Sequence, residues 1–113
     1  MKRPRCWLGY LRADLHLPGA SSLKDRRSVV RSVLDQCRRR FNLSAAELGP
    51  DGNPQEASLA FGLVASCPSE VQGRLEALNS FLLRGEELGP FEILHREQEV
   101  WCDDDFSAGT TES

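Results

Sequence analysis

The chain has 113 residues, 40% of them apolar, with 14 Lys and Arg against 17 Asp and Glu for a net charge of −3. That length fits one domain and excludes two, and no apolar run approaches the roughly 20 residues that span a bilayer. The basic start from Met1 to Arg5 has the charge of a signal peptide, but Arg12, Asp14 and His16 interrupt any apolar run behind it, so the expectation is a cytoplasmic protein with no membrane contact.

Residues 6–17 alternate, with Trp7, Leu11, Ala13, Leu15 and Leu17 on one side and Tyr10, Arg12, Asp14 and His16 on the other. Period two over that length predicts a half-buried strand. Pro18-Gly19 predicts a turn in which Pro presets φ and Gly tolerates positive φ. Ser21 or Ser22 suits a helix N-cap, with Asp25 three residues beyond Ser22. The helix that follows runs to about Phe41 on a stripe of Leu23, Val30, Leu34, Cys37 and Phe41. Arg26 points toward that stripe, so its stem should pack and its head should escape or pair.

Residues 43–48 suit a second strand, and Gly49 to Pro54 is turn chemistry throughout. Residues 57–65 alternate again, with Leu59, Phe61, Leu63 and Ala65 opposed to Ser58, Ala60, Gly62 and Val64. The short connection makes this third strand antiparallel to the second. Pro68 opens a second helix whose stripe is Val71, Leu75, Leu78 and Leu82, and Gly85 and Gly89-Pro90 are expected to close it. Residues 91–101 form the last strand. The remainder, 103–113, carries Asp103, Asp104 and Asp105 before small polar residues and is expected to be an acidic disordered tail behind a single domain of residues 1–102.

The order strand, helix, strand, strand, helix, strand is the split βαβ arrangement called ferredoxin-like, an α+β sandwich. Two helices would cover one face of a four-stranded antiparallel sheet, and Arg12, Asp14 and His16 would line the other.

The segment Leu11 to Gly49, LRADLHLPGASSLKDRRSVVRSVLDQCRRRFNLSAAELG, resembles the YlxP-like family, a bacterial family of unknown function whose members read HLPG, SLK, RFN and AE-G in the same register. The resemblance extends more weakly through residues 55–100. It implies a ferredoxin-like fold and, because family genes often lie beside those of translation factors, a role near the ribosome. Two departures stand out: Ala13, where members often carry a β-branched residue, and the acidic end after Trp101.

Charge is unevenly placed. Residues 1–41 hold eleven Lys and Arg and three acids, a net +8, and the rest of the chain is −11. At about 100° per residue, Lys24, Arg27, Arg31 and Arg38 share a sector of roughly 60° on the first helix, and Arg39 and Arg40 add charge where cations favour the helix dipole. Cations in such a row can follow a phosphate backbone. The expectation is a non-enzymatic accessory that binds ribosomal RNA, or a ribosome-associated protein, through Lys24, Arg27, Arg31, Arg38 and Arg39. The alternative for the same residues is a solvated face neutralised by the acidic part of the chain.

The open-sheet cluster of Arg12, Asp14 and His16 could supply a general base with an orienting carboxylate, though no nucleophile stands beside it in sequence. Stacking of bases in the manner of an RNA-recognition motif is not expected, because strand one offers only Tyr10 and strand three offers small residues. Those small residues suit face-to-face pairing of two sheets, so a homodimer is a second expectation. Cys6, Cys37, Cys67 and Cys102 lie about thirty residues apart without a CxxC pair, which argues for reduced thiols and against a zinc site. HLPGASS has neither the spacing nor the ending of a P-loop, and no cofactor is expected.

Overall fold

A computed structural model describes residues 3–49 and 52–106. Its elements follow the expected order: β1 (Trp7–His16), α1 (Leu23–Phe41), β2 (Ser44–Leu48), β3 (Glu56–Ala65), α2 (Pro68–Leu88) and β4 (Glu92–Cys102), then a single 3-10 turn, Asp103–Phe106. All pairings are antiparallel and the sheet order is β2-β3-β1-β4. The fold is a ferredoxin-like α+β sandwich, with β1 in the sheet interior.

The register explains the alternation. Leu11 pairs with Phe61, Ala13 with Leu59 and Leu15 with Ala57, so apolar residues of β1 and β3 share the face beneath the helices. Leu11, Leu15, Leu34 and Phe61 lie in one core with the α2 stripe Val71, Leu75, Leu78 and Leu82. Helix α1 packs over β2 and β3, and α2 over β1, β4 and β3. Gly9 sits where α2 presses closest: a Cβ there would stand 2.6 Å from a Val71 methyl.

Local signals set the ends. The Ser22 hydroxyl accepts from the Asp25 N–H at 3.1 Å, and the Asp25 carboxylate accepts from the Ser21 N–H at 3.0 Å, a reciprocal cap in which Asp stands where Glu is usual. Those hydrogen bonds, led by the Ser21 N–H, hold the Asp25 carboxyl below its ordinary range. Asn42, in the left-handed region at φ 50°, stops α1, as a short amide side chain allows. Arg74 of α2 completes that end: its Nη2 donates to the Phe41 carbonyl at 3.0 Å and also to the Asn42 carbonyl.

The expected Pro18-Gly19 turn forms, closed by the Ala20 N–H on the Leu17 carbonyl at 3.1 Å without positive φ at Gly19. Two expectations are corrected. Gly85 does not close α2, which runs on to Leu88; a Cβ at Gly85 would come within 2.8 Å of the Phe91 ring, so this glycine lets Phe91 pack against the helix. The tail does not begin at Asp103. The Asp103 carboxylate accepts from the Cys6 N–H at 3.1 Å and from Arg3 at 3.0 Å, and Asp105 accepts from the Cys102 N–H at 3.1 Å. Carboxylates facing backbone donors and arginines order a segment that composition alone marks as mobile. Residues 107–113 lie outside the described residues, as do Pro50 and Asp51 of the β2–β3 connection.

Candidate nucleic-acid interface

The α1 cations divide into three kinds. Lys24, Arg27 and Arg31 are exposed along one face and, among the described residues, hold no acid within ion-pair distance. Arg38 shares that face but its guanidinium donates to Asp35 at 3.1 Å and to the Ala45 carbonyl of β2 at 2.6 Å. Arg39 is exposed and lies off the stripe. Lys24, Arg27 and Arg31 border a shallow trough with Ser28 and Ser32, and Asp35 is its one acid.

Arg26 is the inward exception. It is 6% exposed, and its Nη1 donates to the Asn53 carbonyl at 2.8 Å and the Glu56 carbonyl at 3.3 Å, while its Nε lies 3.4 Å from a Glu47 carboxylate oxygen. The stem packs and the head pairs, so one arginine ties α1 to β2 and to the connection that leads into β3.

The charge asymmetry is partly neutralised within the fold, by the Arg26–Glu47 pair and at the N-terminal segment. Arg3 pairs with Asp103 at 3.0 Å and Arg5 with Asp104 at 3.1 Å. These acids face the N-terminal segment, so Asp103 and Asp104 do not fold back over the α1 stripe.

On the open face the polar residues of β1 separate. Asp14 accepts from the Ser58 hydroxyl at 2.7 Å and from Arg12 Nε at 3.2 Å. Partial burial opposes ionisation of Asp14, and the Ser58 and Arg12 hydrogen bonds outweigh it, so its carboxyl lies below the ordinary range. His16 turns elsewhere: its Nδ1–H donates to the Gln55 carbonyl at 3.1 Å, and its Nε2 lies 4.0 Å from Glu92. The general-base pairing that Asp14 could have offered His16 is thus not formed among the described residues, and Asp14 orients Arg12 and Ser58 instead.

Sequence reasoning passed over Trp101. Leu8 pairs with Trp101, which places the indole on the open face, where its ring centroid is 6.1 Å from that of Tyr10. Counting alternate residues forward along β4 from Glu99 would have found it. Gly62 and Val64 lie beside this pair on β3. Burial pushes the Cys37 thiol up to about 12, whereas a hydrogen bond with Ser69 holds the Cys67 thiol below its ordinary value. No helix among the described residues is long and apolar enough to cross a membrane.

The family model described as "Protein of unknown function (DUF503)" matches residues 8–97. This chain belongs to that family. Among DUF503-like relatives, the protein printed as "Uncharacterized protein YlxP" of Bacillus subtilis (strain 168) is 25% identical over 75 residues, which covers 66% of this chain and 82% of the relative. The match bears out the resemblance carried by HLPG, SLK and RFN. The structure now gives those DUF503 motifs physical roles: the turn after β1, the capped start of α1, and its left-handed stop at Asn42. Solved structures of similar shape include protein YJCS (8% identity, TM-score 0.48, 81% of this chain and 96% of that one). Others are the de novo designed Foldit4 (10%, 0.47, 86% and 94%) and a mutant of SnoaB, a cofactor-independent oxygenase from Streptomyces nogalater (11%, 0.45, 84% and 90%).

Proposed function

We propose that this protein is a non-enzymatic binding accessory of translation that grips the phosphate backbone of ribosomal RNA with the exposed face of α1. The observation that carries the reading is Lys24, Arg27 and Arg31 standing in a row with no acid partner among the described residues. Six other arginines, Arg3, Arg5, Arg12, Arg26, Arg38 and Arg74, each face a carboxylate. Three unpaired cations, with Arg39 beyond them, form an electrostatic footprint that reads charge and shape. Arg38 contributes by fixing the end of the helix on β2 rather than by offering a free guanidinium. The test is binding of short labelled ribosomal RNA across a salt series by the full chain and by Arg27→Gln/Arg31→Gln, with a loss that is uniform across sequences as the expected result.

A second reading, self-association through the open sheet, is favoured by one observation. Val64 is 60% exposed beside Gly62 and the Tyr10–Trp101 pair, an apolar end on a face where β3 otherwise offers small residues. Sedimentation equilibrium on the parent and on Val64→Glu tests it: a dimer that the variant dissociates supports this reading, and a monomeric parent removes it.

A further inference from the structure

Helix α1 presents its basic stripe to one side; about half a helical turn round, by the 100° spacing, it presents Val29, Val33, Gln36 and Arg40. There it faces α2 across the helical layer, with α1 chiefly over β2 and α2 chiefly over β1 and β4. The space between them is a groove of about 660 Å³, within the roughly 300–1,000 Å³ range of small-molecule sites.

The lining has an unusual composition for this chain. It includes apolar residues of both helices, two arginines (Arg40 and Arg84) and no acid, although the sequence beyond residue 41 carries a net −11. The floor is set by Phe91, which is buried against Gly85. Leu88, in the last turn of α2, is 83% exposed at the rim. The Arg40 guanidinium lies 5.1 Å above the Phe81 ring centre, which holds a cation at the groove wall. Among the described residues neither Arg40 nor Arg84 has a carboxylate partner.

An apolar cleft with two uncompensated guanidinium groups selects its occupant by charge. It desolvates a hydrocarbon or ring, offers a carboxylate two charge-assisted hydrogen bonds, and repels an ammonium head. We propose that the groove between α1 and α2 binds a small amphipathic monoanion, an alkyl or aryl carboxylate, seated on Val29, Val33, Leu88 and Phe91 with its carboxylate toward Arg40 and Arg84. The groove adjoins the trough of the basic stripe along Ser28 and Ser32, but Arg40 and Arg84 are not part of that stripe, so the proposal does not depend on it.

The test is amide chemical-shift mapping and calorimetry on the full chain with octanoate, using octylamine as the cationic control. Octanoate should shift amides of residues 28–40 and 81–91, and octylamine should not. Arg40→Gln/Arg84→Gln should weaken octanoate by about tenfold or more, the loss of one to two charge-assisted bonds, with the chain still folded and only a small fall in unfolding midpoint from the lost Arg40–Phe81 contact. Arg84→Lys should retain part of the affinity, which separates loss of charge from loss of fold. Equal binding of octanoate and octylamine, shifts confined to other residues, no shift at millimolar octanoate, or a double variant that binds like the parent would each overturn the proposal.

Discussion

Arg26 Nε lies 3.4 Å from the Glu47 carboxylate, on the inner side of an edge strand only five residues long. The pair fastens β2 to α1, and the same guanidinium also serves the carbonyls of Asn53 and Glu56. Arg26→Ala should lower stability by about 3 kcal/mol, because it strands a half-buried carboxylate and two carbonyls. Glu47→Gln should cost about 1 kcal/mol, since Glu47 keeps contact with water. Urea unfolding midpoints at constant m-value check both.

Two glycines should respond in opposite ways. Gly9→Ala should destabilise by about 1–3 kcal/mol, because its Cβ would meet Val71 in a core that cannot move aside. Gly62→Ala on the open face meets nothing closer than 3.9 Å and should be neutral or stabilising by up to about 1 kcal/mol. Thermal unfolding of the two variants side by side reads the difference.

The Asp14 network should give an acid-dependent contribution. Its folded carboxyl lies below the ordinary value of 3.8, so the stabilisation is present above that value and is lost as pH falls through the lower folded one. The stability difference between the parent and Asp14→Asn should therefore be constant near neutrality and shrink below about pH 4. A difference that does not change with pH would show that the carboxylate charge contributes nothing there.

Arg74→Lys should not substitute for the parent residue. The forked guanidinium reaches the Phe41 and Asn42 carbonyls together, and an ammonium cannot reproduce that geometry. A loss of about 1–2 kcal/mol, with faster amide exchange at residues 40–43, is the expected outcome.

Most of the fold was legible because periodicity and punctuation agreed. The alternation of Leu11, Ala13 and Leu15 and the spacing of Val71, Leu75, Leu78 and Leu82 each point to one buried face, and Ser22 and Pro68 mark helix starts by local chemistry. The misreadings share one cause, long-range contact. Gly85 looked like a helix stop because nothing in sequence shows Phe91 lying against it. Asp103 looked free because its partners, Cys6 and Arg3, are almost a full chain length away. The site was legible only in outline: helical angles found the face of Lys24, Arg27 and Arg31, but they could not show that Arg38 turns to Ala45, or that His16 turns from Asp14 to Gln55.

The most direct test of the binding reading is the salt dependence of RNA affinity, measured by fluorescence anisotropy with a short single-stranded ribosomal RNA. Three backbone contacts from Lys24, Arg27 and Arg31 predict a log–log slope of about −2, at about −0.7 per contact. Arg27→Gln/Arg31→Gln should flatten the slope by about one to two units and weaken all sequences alike. An absence of binding at low salt, or a double variant whose slope equals that of the parent, would contradict the reading and leave the α1 stripe a solvated face.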